Sequence, residues 1–229
     1  MKQFVNKQRV LVVGHSDADG HLAAEQSRRN ILQLGALLCD TFVDKTFTSG
    51  QRIWQKYLSH VPIEKYDRVV FVDLMFHPEQ VRESVGEIVN LAEKHSEKQI
   101  MVIDHHPTSG LPSLPDNLSI CFTSIVYACC YGAPSDLMVI ASLCENEEEP
   151  VLPMVDDGIR RRALGMTRAA ADPNIAGSAL LKLLSKDRWD IIERLADEPK
   201  DIHKRVRGRR HSQQPESPGL LQARAFDTA

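Results

Sequence analysis

Short apolar runs alternate with longer amphipathic stretches in the first half of the chain. Three runs, at residues 10–13, 69–72 and 100–103, are rich in β-branched side chains and have the length of buried strands. Residues 78–94 place apolar side chains at helical spacing after a proline near their start, which predicts a helix. Strands that alternate with helices are typical of an α/β fold, so we expect a doubly wound, mostly parallel sheet with helices on both faces.

The pattern outside these elements predicts one more strand and several more helices. A helix at 20–34 ends at Gly35, and a strand at 36–43 follows it. After residue 123 the apolar spacing is mostly helical. The helices that it predicts cover residues 124–131, 135–144, 156–171 and 176–196.

The composition and the apolar spacing change along the chain and predict three parts. Residues 1–150 would form the α/β domain, and residues 151–197 would form a helical extension. Residues 198–229 are polar, with a basic run followed by glutamine, proline, serine and glycine, and they predict a linker or a disordered tail. The basic run is more typical of a solvated tail than of a nucleic-acid contact.

Composition and charge narrow the class of protein. The chain has 229 residues, of which 42% are hydrophobic and 26% are charged, as in an ordinary folded domain. Its formal net charge of -3 argues against nucleic-acid binding by bulk electrostatics, although it leaves room for a local basic groove. The five cysteines form no CxxC pair, and no apolar run has the length of a signal peptide or a membrane span. We therefore expect a cytoplasmic protein with reduced thiols and no membrane contact.

Acidic and imidazole side chains follow each of the three apolar runs. The first run is followed by His15-Ser16-Asp17-Ala18-Asp19, the second by Asp73, and the third by Asp104-His105-His106. Because open α/β sheets bind ligands at the carboxyl ends of their strands, we expect these side chains to meet at one edge. Carboxylates so close together repel one another unless a cation lies among them. Carboxylate and imidazole ligands without thiolate favour Mn²⁺, with Mg²⁺ as the alternative.

These motifs resemble those of the DHH phosphoesterases. Asp17-Ala18-Asp19-Gly20 is similar to the family's first motif, Asp73 to its second, and Asp104-His105-His106 to the third, which names the family. The family includes RecJ-type exonucleases, oligonucleotide and cyclic-dinucleotide phosphodiesterases, and family II pyrophosphatases. The resemblance extends over roughly residues 8–150, the size of one domain.

The resemblance implies a role for each matching residue. His106 would face the substrate phosphate, and Asp104 would orient the neighbouring imidazoles. Two Mn²⁺ ions would activate a water for attack on phosphorus. The metal ligands that the resemblance implies are Asp17, Asp19, Asp73 and His105, with His15 as an additional one.

The chain departs from the family's pattern in two places. The fourth motif usually supplies an aspartate after a helix, and here Glu145 is the candidate, with Asp156 and Asp157 as the alternatives. Glutamate has one more methylene than aspartate, so the second metal position depends on which residue is used. The second departure is the glycine-rich signature of a carboxyl-terminal substrate domain, which this sequence does not contain.

The resemblance predicts a hydrolase that cleaves a phosphodiester with metal-activated water. The His-x-Asp-x-Asp-Gly form of the first motif is closer to the nuclease branch of the family. The expected substrates are a single-stranded nucleic-acid end, a short oligonucleotide or a cyclic dinucleotide. One alternative is a pyrophosphatase-like hydrolase of a phosphoanhydride, and another is a non-catalytic domain of the same fold that serves as a binding or assembly module.

Overall fold

The structure is a computed structural model that describes residues 7–43, 61–74, 81–106, 113–147 and 149–197. Its strands are β1 (Arg9–Gly14), β2 (Leu38–Phe42), β3 (Arg68–Val72), β4 (Gln99–Asp104) and β5 (Leu118–Phe122). They form one sheet in the order β2-β1-β3-β4-β5, and every neighbouring pair is parallel. The predicted α/β fold is confirmed, while the tail predicted at 198–229 lies outside the described residues.

Six helices and three short 3₁₀ helices accompany the sheet in these parts of the chain. The helices are α1 (Ala18–Gln33), α2 (Val81–Lys94), α3 (Asp136–Cys144), α4 (Asp157–Ala171), α5 (Gly177–Ser185) and α6 (Trp189–Asp197). The 3₁₀ helices cover Ile63–Lys65, Val126–Ala128 and Glu149–Met154. None of the described helices combines the length and the apolar character needed to cross a membrane. The first residues of the helix predicted at 78–94 lie outside the described residues.

The two faces of the sheet bury alternate residues of the same strands. In β1, Val10 and Val12 pack into a first core with α1, whereas Leu11 and Val13 pack into a second core with α2. All four side chains are at most 1% exposed. Strands that are buried on both faces appear in a sequence as continuous apolar runs. The prediction of helices on both faces is confirmed.

The helices that follow residue 135 pack on the same side of the sheet as α1. The first core also contains Met138 of α3, Met166 of α4, Leu180 of α5 and Ile192 of α6. The helical extension therefore shares its apolar core with α1.

The structure of residues 118–131 differs from what the sequence pattern predicts. β5 was not predicted, and in place of the helix predicted at 124–131 only Val126–Ala128 form a 3₁₀ helix. The Tyr131 N–H donates to the Ser27 hydroxyl of α1 at 2.9 Å. Because this contact with another segment occupies a donor that a helix would use internally, tertiary structure overrides the local helical pattern here.

The single helix predicted at 176–196 was also wrong, because the chain forms α5 and α6 there. Between them Asp187 has a left-handed φ of 51°, and its carboxylate accepts a hydrogen bond from Arg29 of α1 at 2.7 Å. Arg29 also donates to the Leu184 carbonyl at 2.8 Å, near the end of α5. Arg29, which belongs to another helix, thus caps one carbonyl near the end of α5 and stabilises the turn that follows it.

The strand order creates a crevice at the carboxyl ends of β1 and β3. The chain passes from β1 to β2 on one side, whereas β3 lies on the other side of β1. In doubly wound sheets the connections diverge at such a point and leave a crevice for ligands. The residues that follow β1 and β3 therefore line this crevice.

Two helical glycines offer a matched test of the helix packing. A Cβ at Gly165 of α4 would lie 2.3 Å from the Ile192 carbonyl oxygen, whereas a Cβ at Gly86 of α2 would meet nothing within 4 Å. We expect Gly165→Ala to lower the free energy of unfolding by about 1–3 kcal/mol through overpacking. Gly86→Ala should raise it by up to about 1 kcal/mol through helix propensity. Chemical denaturation measures both, and the same change in both variants would contradict the α4–α6 contact.

Candidate metal centre

The turn from β1 into α1 brings three acidic or imidazole side chains to the crevice. Asp17 caps α1, and its carboxylate accepts a hydrogen bond from the Gly20 N–H at 3.2 Å. A Cβ at Gly14 would lie 2.6 Å from the Gly20 carbonyl oxygen, and a Cβ at Gly20 would lie 2.7 Å from the His15 carbonyl oxygen. Glycine at both positions therefore permits the tight turn that carries His15, Asp17 and Asp19.

Asp73 enters the crevice from the end of β3 with a strained backbone. Its φ of 52° lies in the left-handed region, which few residues other than glycine adopt. Its N–H donates to the Ile103 carbonyl of β4 at 2.9 Å, and the residue is buried. Backbone strain of this kind persists where the surrounding structure enforces it, and it is concentrated at functional sites.

Asp104 joins the ends of β3 and β4. Its carboxylate is fully buried and accepts hydrogen bonds from the Leu74 N–H at 2.9 Å and from the His106 N–H at 2.8 Å. One of its oxygens also lies 2.7 Å from His106 Nδ1. These contacts fix the backbone next to Asp73 and orient the His106 ring.

The side chains from the three strand ends converge. His105 Nε2 lies 3.1 Å from an Asp73 carboxylate oxygen and 3.8 Å from an Asp19 oxygen. His15 Nδ1 contacts the Asp17 carboxylate. In three sets of residues, called ligand groups below, the candidate ligand atoms all lie within 4.8 Å of one another. The ligand groups are Asp73 with His105 and His106, His15 with Asp17 and Asp73, and Asp17 with Asp19 and Glu145.

The surroundings shift the pKa values of Asp17 and Asp19 in opposite directions. Burial raises the pKa of Asp19 well above its ordinary value, and the negative charges of Asp73 and Asp17 raise it further. Burial also acts to raise the pKa of Asp17, but the hydrogen bond and the charge of His15, together with hydrogen bonds from Asp19 and Gly20, outweigh it and leave that pKa lowered. Asp19 therefore holds its proton more firmly than an aspartate in water does, and a cation competes with that proton.

The imidazoles also hold protons more firmly than they do in water. Burial acts to lower the pKa of His15 and of His105, but the neighbouring carboxylates, chiefly Asp17 and Asp73 respectively, outweigh it. Both pKa values therefore lie above 6.5. A metal ion that binds here has to displace these protons.

Buried oxygen atoms without partners indicate what the centre can bind. Oδ1 of Asp19 and both carboxylate oxygens of Asp73 are buried, and within the described parts of the chain none has a hydrogen bond of good geometry, although Asp73 Oδ1 is in ion-pair contact with His105 Nε2 at 3.1 Å. A buried carboxylate without hydrogen bonds is strongly unfavourable unless another charge compensates it. Carboxylate and imidazole donors without thiolate suit Mn²⁺ or Mg²⁺. The residues present therefore fit a divalent cation.

Among the three candidates for the fourth motif, the structure brings Glu145 to the centre. Glu145 follows the end of α3, and its carboxylate belongs to a ligand group with Asp17 and Asp19. Asp156 instead caps α4, where its carboxylate accepts a backbone hydrogen bond at 2.8 Å. Asp157 is exposed in the first turn of α4, and within the described ranges neither aspartate belongs to a ligand group.

Two neighbours of the centre were not singled out from the sequence. The Glu147 carboxylate accepts a hydrogen bond from the Val126 N–H at 2.8 Å, and its charge helps to outweigh the effect of burial on the pKa of His105. His21 is fully buried, and its Nδ1 lies 2.5 Å from the Asp17 carbonyl oxygen. The position of Glu147 depends on tertiary structure, whereas the contact of His21 is local to the first turn of α1.

Comparison with known proteins finds matches among solved structures. No protein-family model matches the chain, and no curated protein matches it. Exonuclease RecJ bound to manganese is 17% identical with a TM-score of 0.48, and the match covers 90% of this chain and 62% of that one. RecJ in complex with Mn²⁺ from Thermus thermophilus is 18% identical with a TM-score of 0.48, covering 90% and 36%. CDC45 from Entamoeba histolytica is 15% identical with a TM-score of 0.35, covering 80% and 34%. The chain spans less than two thirds of each of these proteins, and the likeness concerns the fold alone.

The raised pKa values predict that a bound metal stabilises the chain more at higher pH. In the metal-free chain, His15 and His105 contribute stability that is fully present below pH 6.5 and is lost as the pH rises through their higher folded pKa values. Asp19 acts in the same direction, because its folded pKa is raised as well. Mn²⁺ binds the deprotonated ligands, so the increase in Tm on adding Mn²⁺ should be larger at about pH 8 than at about pH 6.

A matched pair of variants controls this measurement. Asp19→Asn removes a buried carboxylate from the first turn of α1, and Asp157→Asn removes an exposed one from the first turn of α4. In EDTA at about pH 8, Asp19→Asn should unfold at a higher temperature than the wild type, and it should lose the gain from Mn²⁺. Asp157→Asn should keep that gain. A Mn²⁺-induced shift that is the same at both pH values, or that persists in Asp19→Asn, would contradict the metal centre.

Proposed function

We propose that this centre holds divalent cations and that the chain is a metal-dependent phosphoesterase. The main support is the Asp73 carboxylate, which is buried, has no hydrogen bond of good geometry among the described residues, and has ligand atoms of His105 and His15 within 4.8 Å. Such a group is costly in a structure that only packs, whereas a cation compensates its charge. Its position at the switch point of the sheet, where the connections after β1 and β3 diverge, supports a ligand-binding role as well.

The proposed cation ligands come from all three strand ends and from the end of α3. Asp73 belongs to two of the ligand groups, and Asp17 also belongs to two, which supports a centre for two neighbouring ions. Mn²⁺ is the preferred ion, with Mg²⁺ as the alternative. Bound cations would lower the pKa of a water and neutralise charge on the phosphate oxygens. The proposed ligands are His15, Asp17, Asp19, Asp73, His105 and Glu145.

We assign His106 to the substrate phosphate. Its Nδ1 is held by Asp104, so its Nε2 lies on the opposite edge of the ring, and its side chain is 23% exposed. An imidazole fixed in this way presents Nε2 to a substrate phosphate without first losing rotamer freedom, and in its doubly protonated form it donates a hydrogen bond there. Asp104 acts as a positioning residue, because its buried carboxylate sets the orientation of that ring.

The proposed substrate is a phosphodiester in a single-stranded nucleic-acid end, a short oligonucleotide or a cyclic dinucleotide. Support comes from the His-x-Asp-x-Asp-Gly form of the turn after β1, which resembles the nuclease branch of the DHH family. Water would attack phosphorus directly, without a covalent intermediate. Inorganic pyrophosphate is the alternative substrate for the same set of residues.

Hydrolysis of bis-p-nitrophenyl phosphate with Mn²⁺ tests the proposed activity. We expect the wild type to turn over, and Asp73→Asn and His105→Ala each to lose at least about a hundredfold in kcat, because each removes a proposed ligand. Asp104→Asn should lose about 10–100-fold while it still binds Mn²⁺, because it disturbs the orientation of His106. Asp157→Asn is the control and should retain wild-type activity. EDTA should abolish hydrolysis, and added Mn²⁺ should restore it.

The same preparations distinguish the alternatives. Mn²⁺ binding without hydrolysis of any phosphodiester would contradict the proposed enzyme and support a non-catalytic binding or assembly module. Faster hydrolysis of pyrophosphate than of phosphodiesters would support the pyrophosphatase alternative. Among oligonucleotide substrates, a steep fall in affinity with salt would indicate a polymer held through several phosphates, and a shallow one would indicate a dinucleotide.

A further inference from the structure

A cavity with mostly apolar walls and one buried arginine lies at the opposite end of the sheet from the metal centre. It has a volume of about 280 Å³ and is lined by the amino ends of β3, β4 and β5 together with Tyr131. Arg68 begins β3 and precedes Asp73 by five positions, which corresponds to about 16 Å along an extended strand. None of the residues that line this cavity belongs to a ligand group of the metal centre.

Arg68 places a buried positive charge in this cavity. It is 5% exposed, it donates to the side-chain oxygen of Gln99, and it shares a hydrogen bond with the Tyr131 side chain. Burial lowers the pKa of Arg68, and Tyr131 acts in the opposite direction. A guanidinium withdrawn from water attracts an anion more strongly than an exposed one does. Gln99 and Tyr131 also hold its planar group in place, so little further ordering is needed when a ligand binds.

The other walls supply an apolar surface and an accessible rim. Met101 contributes an apolar side chain on the same face of the sheet as Tyr131, whereas Ser119 and Asp116 are exposed where they line the cavity. The negative charge of Asp116 at the rim disfavours a ligand with several anionic groups. A compact ligand with one anionic group and an apolar body matches this combination of walls and charge.

We propose that this cavity binds a small organic anion, with a carboxylate or phosphate monoester on Arg68 and an apolar body against Met101. The forked guanidinium matches the geometry of either oxyanion. The site is independent of the proposed phosphoesterase activity, because it uses other residues at the other end of the strands.

Methyl NMR of the full chain, labelled with ¹³C at its methionine methyl groups, tests the site in EDTA and phosphate-free buffer. Benzoate and phenyl phosphate are the anionic probes, and benzamide is a neutral control that matches benzoate in size. We expect at least one anion to shift the Met101 resonance saturably, and benzamide to bind at least about tenfold more weakly. The tighter anion identifies the preferred head group. Met138 and Met166, which are fully buried in the first core, should not shift.

Three variants locate the binding. Arg68→Met removes the charge, and Ser119→Trp fills the rim while leaving Arg68 in place. Each should weaken anion binding at least about tenfold, and Ser119→Trp decides the question if Arg68→Met does not fold. Asp73→Asn, which alters only the metal centre, should bind the anions as the wild type does. No Met101 shift at millimolar anion, equal binding of benzamide, wild-type affinity in Ser119→Trp, or loss of binding in Asp73→Asn would overturn the proposal.

Discussion

Negative charge crowded at the carboxyl ends of β1 and β3 is the constraint on which the rest of this structure depends. Asp17, Asp19 and Asp73 meet there, Asp19 and Asp73 in buried positions and Asp17 in a half-buried one, and the burial of Asp19 raises its pKa. His15 and His105 neutralise part of this charge by holding protons more firmly than they do in water. Protons and metal cations therefore compete for one centre, and both the stability and the proposed chemistry of the chain depend on which of them occupies it.

Two aspartates at the ends of neighbouring strands show how the fold maintains this charge. Asp104 accepts hydrogen bonds from Leu74 and His106, and its carboxylate is a structural connection between β3 and β4. Asp73 lies beside it with a left-handed backbone, and in the described residues its carboxylate has the ion-pair contact with His105 but no hydrogen bond of good geometry. The contacts of Asp104 stabilise the backbone that holds Asp73 in its unfavourable position. One buried acid is thus satisfied by the fold, and the other is left for a cation.

The sheet and the three strand ends were predictable because their signals are local. Strands buried on both faces leave continuous apolar runs, and the acids that follow them are adjacent in sequence. β5 was missed because only one of its faces packs against the core. Leu118 is buried on that face, while Ser119 and Cys121 are exposed on the other. The approach of Glu145 to Asp17 could not be predicted, because it depends on how α3 packs against α1. Tertiary contacts likewise determine the mostly non-helical conformation of residues 124–131 and the break between α5 and α6.

Anomalous diffraction at the manganese absorption edge, from crystals grown with Mn²⁺, tests the central claim most directly. The account predicts two anomalous peaks. The first marks an ion bound by the Asp73 carboxylate and by a nitrogen of His15 or His105, and the second marks an ion beside Asp17. Absence of any peak at Asp73, with its carboxylate hydrogen-bonded by protein or water, would show that the fold satisfies this charge without a metal and would contradict the account.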